Sequence, residues 1–210
     1  SGLLRNLPRL EAFLADVCGR SPLPVSVKTR IGIANDDEYD ELLALFCRCG
    51  IAELIVHPRV QKDFYDGAPR QELYGKTLER APFPVAYNGD IFTLDDFNTL
   101  VAAYPQTRHV IIGRGLLANP ALAREIRGGG GLTCEELKRF HDKLYESYAN
   151  DMGGNAVFRM KEWWSYAEHA FADPSSVHRI MRKTRQTDEY EAAARKIFST
   201  EKLAGSPRFS

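Results

Sequence analysis

Four polar positions recur at the ends of short β-branched runs, and their residue types suit one kind of chemistry. Lys28 lies near the end of Pro-Val-Ser-Val-Lys-Thr-Arg (24–30) and His57 near the end of Glu-Leu-Ile-Val-His-Pro-Arg (53–59). Asn88 begins Asn-Gly-Asp after Pro-Val-Ala-Tyr (84–90), and Gly113 begins Gly-Arg-Gly after His-Val-Ile-Ile (109–115). An ammonium can stabilise negative charge on a reduced ring. An imidazole can donate to a ring carbonyl, or titrate near neutral pH. Asn88, Gly89 and Asp90 offer groups for hydroxyls or simply for turn geometry. Gly113 lets a phosphate approach the backbone, and Arg114 adds a guanidinium fork for its oxygens. Each residue also has a plainer use: a lysine can end a strand in solvent, Asn-Gly-Asp is a common turn, and His57 beside Pro58 can cap a loop.

What favours the chemical reading is the positioning. Positions 28, 57, 88 and 113 are separated by 29, 31 and 25 residues. That is the rhythm of strand–loop–helix units in a parallel α/β barrel, whose sites form at the carboxyl ends of the strands. Side chains alternate along a strand. Val25, Val27 and Thr29 therefore oppose Ser26, Lys28 and Arg30, and Leu54 and Val56 oppose Ile55, His57 and Arg59. Likewise Val85 and Tyr87 oppose Ala86, Asn88 and Asp90, while Val110 and Ile112 oppose Ile111 and Gly113. If the first set of each strand packs on helices, Lys28, His57, Asn88 and Gly113 share the barrel mouth. Burying a lysine or histidine there unpartnered costs roughly several kcal/mol, so a polar or anionic ligand is expected.

The intervening elements follow from periodicity and caps. Leu7, Leu10, Phe13, Leu14 and Val17 predict a first helix over 7–18, ended by Gly19. Asp36 and Asp37 offer N-cap chemistry for a helix carrying Tyr39, Leu42, Leu43 and Phe46, with Gly50 as its stop. A charged, aromatic and glycine-rich loop spans 58–72, a short helix 74–79, and Thr93 with Asp96 forms a capping box for the next. A helix is expected over 120–126, then a flexible joint at Gly128–Gly131. Beyond it the pattern is helical, opened by the capping pair Thr133 and Glu136. The adjacent Trp163 and Trp164 read as core or interface rather than as a base-stacking platform. The expected organisation is a partial (β/α) barrel over 1–127, a glycine-rich linker at 128–132, a helical domain over 133–200 and a tail at 201–210. The fold class is α/β: half of a TIM-type barrel plus a helical bundle.

Composition excludes several classes. Lys plus Arg and Asp plus Glu number 28 each among 210 residues, so no global field favours nucleic acid, although a local basic patch is compatible. No apolar run reaches the roughly 20 residues that span a bilayer. The start, Ser-Gly-Leu-Leu-Arg-Asn, does not have the form of a signal peptide. Cys18, Cys47, Cys49 and Cys134 have neither Cys-x-x-Cys spacing nor a histidine partner, so thiols in a reducing cytosol are expected, and no metal site. His109, His141, His169 and His178 form no constellation and are assigned to structure or surface.

The motifs together resemble the carboxyl-terminal part of tRNA-dihydrouridine synthases. The resemblance rests on Val27-Lys28-Thr29-Arg30-Ile31-Gly32, on Val56-His57-Pro58-Arg59 with Phe64-Tyr65-Asp66-Gly67, on Asn88-Gly89-Asp90-Ile91, and on Ile112-Gly113-Arg114-Gly115 with Asn119-Pro120. It implies an FMN-containing barrel with a helical tRNA-binding domain, NADPH as reductant, and reduction of uridine to dihydrouridine. It further implies that Lys28 and His57 contact the flavin ring, that Asn88, Gly89 and Asp90 lie along its ribityl chain and phosphate, and that Gly113 and Arg114 hold the phosphate. Arg59 and its loop would meet the target base. Arg159, Lys161, Arg179, Arg182, Lys183 and Arg185 would contact tRNA. The family's proton-donating cysteine motif is absent, so no catalytic residue is assigned here, and a cytoplasmic fragment inactive by itself is expected. A half barrel with open strand edges is expected to self-associate. Two other readings stay open: a non-catalytic RNA-binding or assembly module, and a flavin barrel that reduces a small molecule.

Overall fold

The computed structural model describes residues 2–205; the last five residues of the expected tail lie outside it. In chain order the elements are α1 (Leu7–Arg20), β1 (Ser26–Arg30), α2 (Glu38–Arg48), β2 (Glu53–His57), α3 (Gln71–Arg80), β3 (Val85–Tyr87), α4 (Leu94–Ala103), β4 (His109–Val110), α5 (Arg114–Ala118), α6 (Leu122–Ile126), α7 (Cys134–Met152), α8 (Ala156–Ala167), α9 (Pro174–Arg182) and α10 (Thr187–Thr200). The four strands form one parallel sheet in sequential order β1-β2-β3-β4. A helix lies between each pair of successive strands, as parallel pairing requires of a crossover. The chain is thus α/β, with the strand order of a (β/α) barrel.

The chain divides into two compact units, residues 1–90 with 99–112, and residues 91–98 with 113–210. The division after strand β4 falls at Gly113, not at the glycine run expected as a joint. That run is tied down: Arg124 donates to the carbonyls of Gly130 and Gly131, and the N–H of Gly129 returns to Arg124. A side chain at Gly129 would meet Arg124 Cγ at 2.5 Å, so that glycine lets the chain wrap closely on Arg124, and Gly128 takes a positive φ of 82°.

In the first unit, Leu42, Leu43 and Phe46 of α2 and Leu54, Val56, Val85 and Tyr87 of the sheet are buried, as the strand alternation required. The N-terminus of α2 departs from expectation. Asp37 makes no cap bond; Glu38 instead accepts from the N–H groups of Ile33, Ala34 and Asn35 at 2.7–2.8 Å. Gly32 is required beneath it, because a Cβ there would lie 2.9 Å from the Asn35 carbonyl and 3.1 Å from the Glu38 carboxylate. Burial opposes charge on Glu38, but the three donors outweigh it and hold its carboxyl below the usual range.

The second unit packs Leu137, Met160, Trp163, Trp164, Phe171, Val177, Tyr190 and Ile197 into one core, so the tryptophan pair is interior. The Thr133–Glu136 and Thr93–Asp96 capping boxes both form. The helix expected at 120–126 forms as α6 over Leu122–Ile126, and a separate short helix, α5, precedes it from Arg114 and ends at Asn119. No helix among the described residues is long and apolar enough to cross a membrane.

Candidate functional site

The strand register decides which side chains meet at the carboxyl ends of β1 to β3. Lys28 is in register with Ile55 and, one rung on, Arg30 with His57; Val56 is in register with Tyr87. The N–H of Asn88 bonds Val56, which brings Asn88 to the level of His57. Lys28, Arg30, His57 and Asn88 therefore share one face and one end of the sheet. Lys28 is exposed and His57 buried.

Their electrostatics follow from that crowding. Desolvation, then Arg30, Lys28 and Arg59, push the His57 pKa down to about 4, against a smaller opposing effect of Asp90. At neutral pH His57 is thus an uncharged donor and acceptor; it does not titrate near pH 7. Lys28 is likewise lowered, by desolvation and then by Arg30.

Arg30 is the residue that sequence reasoning passed over. It donates to the carbonyls of Val60 and Phe64 at 2.6 Å each, and its Cζ lies 5.6 Å from the centre of the Tyr65 ring. Tyr65 in turn lies 6.1 Å from the His57 ring. The signal was present in the alternation, which put Arg30 on the same face as Lys28.

Arg59 and Asp90 are brought to each other. Arg59 is only 1% exposed; its guanidinium meets both carboxylate oxygens of Asp90, at 2.9 and 2.5 Å, and the carbonyls of Asp66 and Gly67. It is not presented at the surface to a base, and the Asp90 carboxylate faces Arg59. Asn88 donates its amide to the Ile111 carbonyl at 2.8 Å, linking the ends of β3 and β4. Gly89 sits against Tyr87, whose hydroxyl would be 2.2 Å from an added Cβ.

In the second unit Gly113 precedes α5 with open space where a Cβ would stand, and Arg114 lies 5.2 Å from the Phe92 ring centre. Arg159 is exposed and bonds Glu162 at 3.0 Å. Lys161 donates to the carbonyls of Arg182 and Thr184, which joins α8 to the end of α9. Arg179, Arg182, Lys183 and Arg185 are all exposed at that end, where cations also complement the helix dipole. The four cysteines lie on or beside helices α1, α2 and α7, not at the strand ends. No group of three or more metal-ligating side chains occurs among the described residues.

The chain is similar to known proteins over most of its length. The family model described as dihydrouridine synthase matches residues 1–201. A tRNA-dihydrouridine(16) synthase of Pseudomonas syringae is 34% identical over 195 residues, covering 89% of this chain and 61% of that protein. Those of Neisseria meningitidis and Cupriavidus necator are 28% and 27% identical, covering 89% and 90% of this chain and 59% and 61% of theirs. The chain spans about three fifths of the length of these curated relatives. With nearly its whole length matched, this chain belongs to the dihydrouridine synthase family.

Proposed function

We propose that the chain takes part in the reduction of uridine to dihydrouridine in tRNA, with FMN as the bound cofactor and NADPH as reductant. The observation that carries the reading is the group of Lys28, Arg30 and neutral His57 on one face at the strand ends, in a chain of this family. An uncharged imidazole is a donor that a ring carbonyl accepts, and the exposed Lys28 ammonium favours negative charge that grows on a ring during reduction. When bound, FMN would supply the hydride chemistry; Lys28 and His57 would orient its ring. The open backbone at Gly113 and the guanidinium of Arg114 are suited to a phosphate. Asn88 and Asp90 fit less directly, since their side-chain groups are engaged by Ile111 and Arg59. We assign no acid among the four cysteines, and tRNA contacts to the exposed cations Arg159, Arg179, Arg182, Lys183 and Arg185.

The test is flavin titration followed by fluorescence, on the chain and on Lys28→Ala and Arg114→Ala variants, with dihydrouridine formation in tRNA measured beside it. FMN binding that weakens in both variants supports the reading. Failure of the chain to bind FMN at any concentration overturns the cofactor assignment, and failure to bind tRNA overturns the substrate. A second reading, self-association, rests on β1, which is paired on one side only among the described residues. A monomer by sedimentation velocity refutes it.

A further inference from the structure

The loop after β2 is held by three arginines. Arg30 binds the carbonyls of Val60 and Phe64, Arg59 those of Asp66 and Gly67, and Arg70 bridges Asp63 and Asp36 at 2.5 and 2.6 Å. At its tip stand two adjacent aromatic residues that the loop does not bury. Phe64 is 71% exposed and Tyr65 58%. Phe64 also has φ 51° and ψ −97°, a backbone conformation that bulky residues seldom adopt. Strain of this kind persists where the surroundings over-determine it, and it gathers at ligand contacts. Here the Arg30 bond to the Phe64 carbonyl fixes it.

We propose that Phe64 and Tyr65 form a preset stacking platform for an unpaired RNA base next to the one taken at the strand ends. Tyr65 lies beside Arg30 and His57 and so flanks the strand-end site. Phe64, one residue along, packs against no other ring among the described residues and extends the platform outward. Exposed aromatics among cations, here Lys28, Arg30 and Lys62, suit single-stranded nucleic acid, where rings stack on bases and ammonium or guanidinium groups meet phosphates. A protein-docking patch would need wider apolar continuity, and the neighbours Lys62, Asp63 and Asp66 break it. The clamp lowers the ordering cost of binding, because the backbone that carries the two rings is already held in place.

The inference rests on the RNA-directed reading above but can fail separately. The test is fluorescence anisotropy of a labelled single-stranded, uridine-containing RNA and of its duplex, on the full chain and on Phe64→Ala, Phe64→Trp and Phe64→Leu. Thermal unfolding checks that each variant is folded; the exposed ring makes loss of fold unexpected. Phe64→Ala should bind the single strand about tenfold more weakly, the scale of one lost base stack, with duplex binding unchanged. The slope of affinity against salt should stay the same, since no phosphate contact is removed. Tryptophan should restore affinity and leucine should not. Unchanged affinity in Phe64→Ala, or equal rescue by leucine, overturns the platform and leaves the proposed activity standing. Absence of RNA binding by the unsubstituted chain overturns both.

Discussion

Arg59 and Asp90 are joined by two hydrogen bonds, at 2.9 and 2.5 Å, across 31 residues of sequence. Arg59 is the buried partner, and Asp90 keeps 26% of its side chain exposed. The pair ties the loop after β2 to the turn after β3, so it sets where both strand ends present their side chains. Arg59→Ala removes the guanidinium from Asp90 and from two carbonyls at once. Breaking a buried pair costs roughly 3–5 kcal/mol; with Asp90 partly solvated, about 3 kcal/mol is expected. Denaturant unfolding measures it. Arg59→Ala with Asp90→Asn should cost less than the two single changes summed; additivity would show that the two groups do not interact.

His57 gives the fold a pH dependence with a defined sign. Its folded pKa of about 4 lies below the ordinary 6.5, so between these values the unfolded chain binds the extra proton. Stability is therefore full above pH 6.5 and falls as pH drops through the window toward 4. One unit is worth about 1.4 kcal/mol once the unfolded imidazole is mostly protonated, so about 1.6 kcal/mol should be lost from pH 6.5 to 5. His141, lowered mainly by burial, acts in the same direction. His57→Gln should flatten part of this dependence, and NMR titration of the His57 ring should show no midpoint above pH 5.

Phe64 should be replaceable with a gain in stability. Its positive φ costs roughly 1–3 kcal/mol for a bulky residue, and glycine removes most of that while loosening the unfolded chain. A net gain of about 1 kcal/mol is expected for Phe64→Gly in thermal or urea unfolding. A loss would mean that the ring itself supports the loop.

The second unit contains a buried polar chain. His141 bonds Tyr190 at 2.6 Å and Asp142 at 2.9 Å, and the Trp164 indole N–H donates to the same Tyr190 oxygen at 3.1 Å. Because Trp164 donates, the Tyr190 hydroxyl is free to donate to His141. Tyr190→Phe strands both a donor and an acceptor in the core, at a cost of about 2–3 kcal/mol by calorimetry. A change below about 0.5 kcal/mol would rule out the network as a stabilising element.

The amino-acid order by itself determined the strand positions, the parity that puts Lys28 and His57 on one face, and both threonine caps. Each depends on residues within a few positions of one another, where backbone geometry fixes which side chain faces where. The α/β class and the barrel order of strands were legible for the same reason. Side-chain partnership was not. Arg30 lies 34 residues from the Phe64 carbonyl it holds, and Lys161 lies 23 from that of Thr184. A guanidinium or an ammonium reads alike in sequence whether it faces water, RNA or a carboxylate; only the packed chain supplies the neighbour. For the same reason the glycine run at 128–131 resembles a joint in sequence, while Arg124 in the folded unit makes it a wrapped and bonded turn.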